Sequence, residues 1–132
     1  MQVCKYEEVF VHRDIDLVRD LLLHVDGDPQ LDGRLLIRPD KPEDFGISGH
    51  SLEEVFYHLN MLIDEGFATG AVTRDGPLVS KLTWKGHELL DDIRDPDIWD
   101  KTKQRLHGLS SVGIALAWEI AKAEIKKRLG LN

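Results

Sequence analysis

Apolar residues Ile15, Val18, Leu21, Leu22 and Val25 recur at three- and four-residue intervals, the spacing that places one buried stripe on a helix. A helix is predicted over residues 14–25. Asp14 is its N-cap, and Asp16 supplies negative charge where the helix dipole favours it. The run Asp26-Gly27-Asp28-Pro29 stops it, since Gly and Pro favour turns. Arg34-Leu35-Leu36-Ile37 reads as a short strand ended by Pro39, and residues 40–50 as a loop. A second helix opens at Ser51, which with Glu54 has the spacing of a capping box. Leu52, Val55, Leu59, Leu62 and Ile63 form its buried stripe, and Gly66 is a left-handed C-cap. Residues 67–73 and 78–83 read as strands joined by Arg74-Asp75-Gly76-Pro77; Asp-Gly between two such runs predicts a hairpin. A third helix starts near Thr83, carries Leu89, Leu90 and Ile93 inward, and breaks at Asp95-Pro96. A last helix is predicted from Leu109 to Leu129.

Helix, strand, helix, two-stranded hairpin, helix is the order of a winged helix-turn-helix. The expected fold is therefore mainly α, of the α+β class, with a two-stranded wing and an added C-terminal helix. The expected organisation is an N-terminal extension over residues 1–12 and a winged-helix domain over 13–95. Residues 96–132 follow as a C-terminal helical segment for packing or dimerisation. The phrase Leu62-Ile63-Asp64-Glu65-Gly66-Phe67, the hairpin, and then Leu82-Thr83-Trp84-Lys85-Gly86 match the pattern of winged-helix regulators. A glycine cap turns the chain straight into the wing, and a threonine caps the helix that leaves it.

Residues 13–105 also resemble a bacterial and phage family known as domain of unknown function 2513. The pieces that carry the resemblance are Arg13-Asp14-Ile15-Asp16-Leu17-Val18-Arg19, Glu53-Glu54-Val55 and Tyr57-His58-Leu59. They continue with Leu82 through Asp91, Ile93-Arg94-Asp95, Ile98-Trp99 and Lys101-Thr102-Lys103. The resemblance implies a winged helix of prokaryotic or phage origin. It brings no activity and no catalytic residues.

Charge alters what the fold suggests. The net charge of −7 is unevenly spread. Residues 1–48 hold six Lys/Arg against eleven Asp/Glu, residues 49–95 four against nine, and residues 96–132 seven against four. An acidic body with a mildly basic tail lacks the positive face that DNA-binding domains present. A single cysteine, Cys4, excludes an intramolecular disulfide and a cysteine-based zinc site. With no leader-like segment and no apolar run long enough to span a bilayer, a reducing cytoplasm and no membrane are expected.

Catalytic signatures are missing. The six histidines form no metal-ligand spacing, no nucleophile motif or phosphate loop occurs, and adjacent acids such as Asp91-Asp92 diverge around a helix. His58 and His87 read as satisfied core or interface histidines. A non-enzyme with no cofactor is expected.

The second helix is where a winged helix would act. Opposite its buried stripe lie His50, Glu53, Tyr57, Met61 and Asp64, with Asn60 alongside. From His50 to Glu65 there are four acids and no Lys or Arg, whereas base and phosphate contacts lean on Arg, Lys, Asn and Gln. The wing offers Arg74 and Lys81. Tyrosine and methionine ringed by charge suit a protein interface. The last helix has two apolar faces: Val112, Leu116, Ile120 and Ala123 on one, and Ile114, Trp118, Ala121, Ile125 and Leu129 on the other. The second of these is expected to dimerise with another copy, because a helix apolar on two sides must bury both. Lys126-Lys127-Arg128 complement the helix dipole. The expected function is a small bacterial or phage regulator or adaptor acting through protein–protein contact, as a homodimer. The competing expectation is a dimeric DNA-binding transcriptional regulator.

Overall fold

The computed structural model describes residues 13–109 and 112–131; the extension over residues 1–12 lies outside the described residues. Five α-helices and one two-stranded antiparallel sheet are present among them. In chain order they are α1 (Ile15–Gly27), α2 (Leu52–Asp64), β1 (Ala68–Thr73), β2 (Gly76–Leu82), α3 (Trp84–Ile93), α4 (Pro96–Leu106) and α5 (Ile114–Leu129), with a 3₁₀ turn at Pro42–Phe45. The arrangement is α+β and consistent with a winged-helix-like fold.

The predicted caps form. Asp14 accepts from the backbone N–H groups of Asp16 and Leu17, which start α1. Ser51 and Glu54 make the reciprocal capping box of α2. Thr83 accepts from the Gly86 N–H and so begins α3 directly after β2. These caps satisfy donors that a helix leaves without partners at its first turn.

Three local expectations are corrected. Residues 34–37 form no strand; only Ile37 bridges to Val79 of β2, while Leu35 and Leu36 stand exposed. One apolar triplet on a sheet edge secures a single bridge when its neighbours have nothing to pack on. The hairpin turn is tighter than expected, with Thr73 paired to Gly76 so that Arg74 and Asp75 alone form it. Gly76 has a left-handed φ of 128°, and any Cβ there would meet the Phe56 ring, so it belongs to the strand and packs on α2. Asp95-Pro96 ends α3 and also starts α4: Asp95 accepts from the N–H groups of Asp97 and Ile98, and Pro96 occupies the first turn. Proline is suited to that position because its missing N–H would be unpaired anyway.

One core links the elements among the described residues. It joins Leu17, Leu21 and Leu22 of α1, Val55 and Leu59 of α2, Phe67, Val79 of β2, Leu89, Leu90 and Ile93 of α3, Ile98 and Trp99 of α4, and Ala121 of α5. The C-terminal helices thus share the core of residues 13–95. Arg105 and Lys127 both reach Glu124, a buried carboxylate between α4 and α5, at 2.9 and 3.7 Å.

The N-terminus of α4 carries a pH dependence. The Ile98 N–H, and next the Arg128 guanidinium, hold the Asp95 carboxyl below the ordinary carboxylate range. An acid with a lowered folded pKa stabilises the fold while ionised, and that contribution fades as pH falls through the folded value. Asp95→Asn keeps an oxygen acceptor for the cap but loses the charge. It is expected to be less stable than the native protein at neutral pH, with the gap closing in acid. Thermal melts of both proteins over an acid series check this.

Candidate protein interface

His58 is fully buried and ties the starts of α1 and α2 together. Its Nδ1 is 2.7 Å from the Glu54 carbonyl oxygen, and its Nε2 accepts from the Asp14 N–H at 2.8 Å. That pair of partners requires the Nδ1–H tautomer. The expected satisfied core histidine is the role His58 has; His87, by contrast, is exposed and lies 3.6 Å from Asp26.

Beside this buried tie lies a more exposed one. His50 sits between Asp14 and Glu54, at 3.7 and 3.3 Å. The Ser51 N–H, and next the His50 ring, hold the Glu54 carboxyl below its ordinary range. His50 is therefore half-buried and engaged within the chain rather than presented outward.

The remaining residues of the predicted recognition face divide into two groups. Glu53, Tyr57 and Asp64 are exposed, and Tyr57 keeps 37% of its surface. Asn60 and Met61 are half-buried, and the Asn60 Oδ1 is enclosed with no hydrogen-bond partner among the described residues. The one amide on this helix that could read a base edge has its acceptor turned into the protein. On the wing, Arg74 and Lys81 are exposed, as expected.

Met61 leads into a groove of about 330 Å³ at the C-terminal end of α2. Ile15 and Val18 of α1, Phe67, Val112 and Ile114 make its floor and walls with Met61. Asp14, Asp64 and Glu65 stand around it together with Arg13. The negative end of the α2 dipole points at the same place. The result is an apolar hollow with an acidic rim.

The dimerisation face expected on α5 is corrected. Ile114, Trp118 and Ile125 pack against the chain's own core, and Ala121 is fully buried in it. The Trp118 indole N–H donates to Asp92 at 2.7 Å and its ring meets Phe67 edge-on. Of that set only Leu129 is free on the surface, at 64% exposure. On the other face Leu116 is exposed, while Val112, Ile120 and Ala123 are half-buried. Two apolar faces on one helix have the same periodicity, so spacing cannot choose between them. Ala117 and Ala121 decide it, since small side chains let α5 approach α3 and α4 closely.

Trp84 was not among the sequence candidates, yet it is 81% exposed, the most exposed large apolar side chain among the described residues. A signal existed. The buried stripe of α3 is Gly86, Leu89, Leu90 and Ile93, which leaves Trp84 on the side of Glu88 and Asp91, both exposed. Like Tyr57, it is an aromatic ring among acids.

Among the described residues no three His, Cys, Asp or Glu side chains come together as a metal site. None of the described helices is long and apolar enough to cross a membrane.

The family model described as "Hypothetical protein (DUF2513)" matches residues 12–113. The chain belongs to this family. An uncharacterized protein of Haemophilus influenzae is 33% identical over 102 residues, covering 74% of this chain and 80% of its own length. No solved structure matches the chain. The DUF2513 match takes in α1 to α4, the wing and most of the groove, and it ends at the residue before α5.

Proposed function

We propose that this DUF2513 protein is a non-catalytic binding module, a small regulator or adaptor that recognises a protein through the outward face of α2. The observation that carries this is the exposed Tyr57 flanked by Glu53 and Asp64 on a helix with no Lys or Arg between Leu52 and Asp64. An aromatic ring supplies the apolar anchor of an interface, and charges supply its rim. The same face laid against a phosphate backbone would gain nothing from counterion release and would add carboxylate repulsion. Trp84, with Glu88 and Asp91 on its side of α3, supports the same chemistry. A single cysteine suits work in a reducing cytoplasm.

The second reading, a DNA-binding regulator, rests on the hairpin after α2 with exposed Arg74 at its turn and Lys81 on β2. Fluorescence anisotropy with a mixed-sequence DNA duplex, at about 50 and 200 mM salt, separates the two. No saturable binding is expected at either salt concentration. Binding that weakens steeply as salt rises would overturn the protein reading. In parallel, Tyr57→Glu is expected to lose a partner that the native protein retains in affinity capture from its own cells. Identical capture by both would remove α2 from the interface.

A further inference from the structure

We propose that the outward stripe of α3, Trp84, Glu88 and Asp91, is a docking strip for an arginine-rich segment of a protein partner. The strip adds a second helix to the protein-binding reading, and rests on that reading only in taking the chain as a binding module. Spacing sets the three residues in one line, since side chains four and seven positions apart stand one above the other on a helix. All three are exposed, Trp84 the most. The line runs about 10 Å along the helix axis, a length that two arginines of one extended segment can span.

The other two tryptophans are engaged inside the chain. Trp99 and Trp118 donate their indole N–H groups to Asp16 and Asp92, each at 2.7 Å. Trp84 has neither a hydrogen bond nor a ring contact among the described residues. Thr83 caps α3 without it, so neither the cap nor the core requires an aromatic ring at this position. A partner would remove that ring from water, and tryptophan is among the side chains that contribute most when an interface covers them.

The charges beside Trp84 set the sign of the partner. Glu88 and Asp91 form no ion pair among the described residues, whereas Asp26, Asp97 and Glu124 each hold a cation of the chain's own. The nearby cations are drawn elsewhere. The Lys85 ammonium donates to the Glu65 carbonyl at 3.0 Å and lies over the Phe67 ring. His87 and Arg94 both turn to Asp26, at 3.6 and 2.8 Å, and the Lys81 stem lies along Gly33. An open indole face with two unpaired carboxylates is thus left for cations from outside. Arginine fits better than lysine, because a planar guanidinium stacks on an indole and meets a carboxylate through two parallel N–H bonds. A nucleic-acid backbone would meet the same carboxylates with repulsion.

Titration of the nitrogen-15-labelled protein with an octa-arginine peptide reads the strip directly. Each tryptophan indole N–H is a separate NMR probe, and the signal missing from Trp84→Leu is that of Trp84. That signal is expected to move saturably while those of Trp99 and Trp118 stay in place. By calorimetry, an octa-lysine peptide is expected to bind about fivefold more weakly. Trp84→Leu leaves the net charge at −7 and is expected to weaken octa-arginine binding about fivefold. Glu88→Gln with Asp91→Asn is expected to weaken it by about as much. Asp40→Asn with Glu43→Gln removes the same charge near the 3₁₀ turn, and is expected to change the affinity by less than about twofold. An unmoved Trp84 signal or equal affinity for the two peptides would overturn the proposal. So would strip variants that bind no more weakly than the variant at the 3₁₀ turn. Tyr57→Glu is expected to leave the Trp84 shift unchanged, so a failure of the α2 interface and a failure of this strip give different results.

Discussion

Gly86→Ala is expected to be strongly destabilising, although it is a small substitution inside a helix. On a bare helix the change would gain about 1 kcal/mol, because alanine is the better helix former. Here a Cβ would lie 2.0 Å from the Phe67 carbonyl oxygen and 3.4 Å from Leu82. That carbonyl also accepts the Thr83 N–H at 3.0 Å, the bond that joins the start of β1 to the end of β2. Backbone cannot rotate away as a side chain could, so α3 must lift off the base of the wing. A loss of about 3 kcal/mol is expected, at the upper end for overpacking, with a fall in Tm of roughly 10 °C. Gly27→Ala is the control. It sits in the last turn of α1, and a Cβ there meets nothing within 4 Å. That variant is expected to melt at or above the native temperature. Equal melting points for Gly86→Ala and the native protein would refute the close approach of α3 to Phe67.

His58→Ala is the second large effect. Removing the ring opens a cavity in the core beside Val55 and Leu59 and strips the Asp14 N–H of its acceptor. A buried donor left without a partner costs about 1–3 kcal/mol, and the cavity adds to it. Together a loss of roughly 3–4 kcal/mol is expected on the same principles, measured by urea denaturation. His58→Phe refills the space without supplying the acceptor, so it should recover only part of the loss. Full recovery by Phe would show that His58 acts through volume alone. Since Asp14 and Glu54 both contact His50, loosening this corner should also disturb the exposed end of the α2 face.

Much of the fold is legible in the sequence because its signals are local. A cap needs only a Ser, Thr or Asp and the N–H groups two or three residues on. The caps at Asp14, Ser51 and Thr83 therefore form where spacing places them. The buried stripes of α1, α2 and α3 follow from periodicity, and the hairpin follows from two β-like runs with a turn between them. The exposure of Glu53, Tyr57 and Asp64 is legible in the same way, as the far side of an amphipathic helix. Even Trp84 is excluded from the stripe of α3 by counting.

Tertiary structure decided the rest. Which face of α5 is buried depended on Phe67, Asp92 and two alanines, none of which periodicity weighs. His50 and Asn60 lie on the outward arc of α2 by angle, yet one is drawn between Asp14 and Glu54 and the other is enclosed by its neighbours. The acid-rimmed groove has no counterpart in any single stretch of sequence, since its walls come from residues 13–18, 61–67 and 112–115. A helix chooses its own buried side when one side alone is apolar; when two are, or when a side chain can reach a neighbouring element, long-range packing chooses for it.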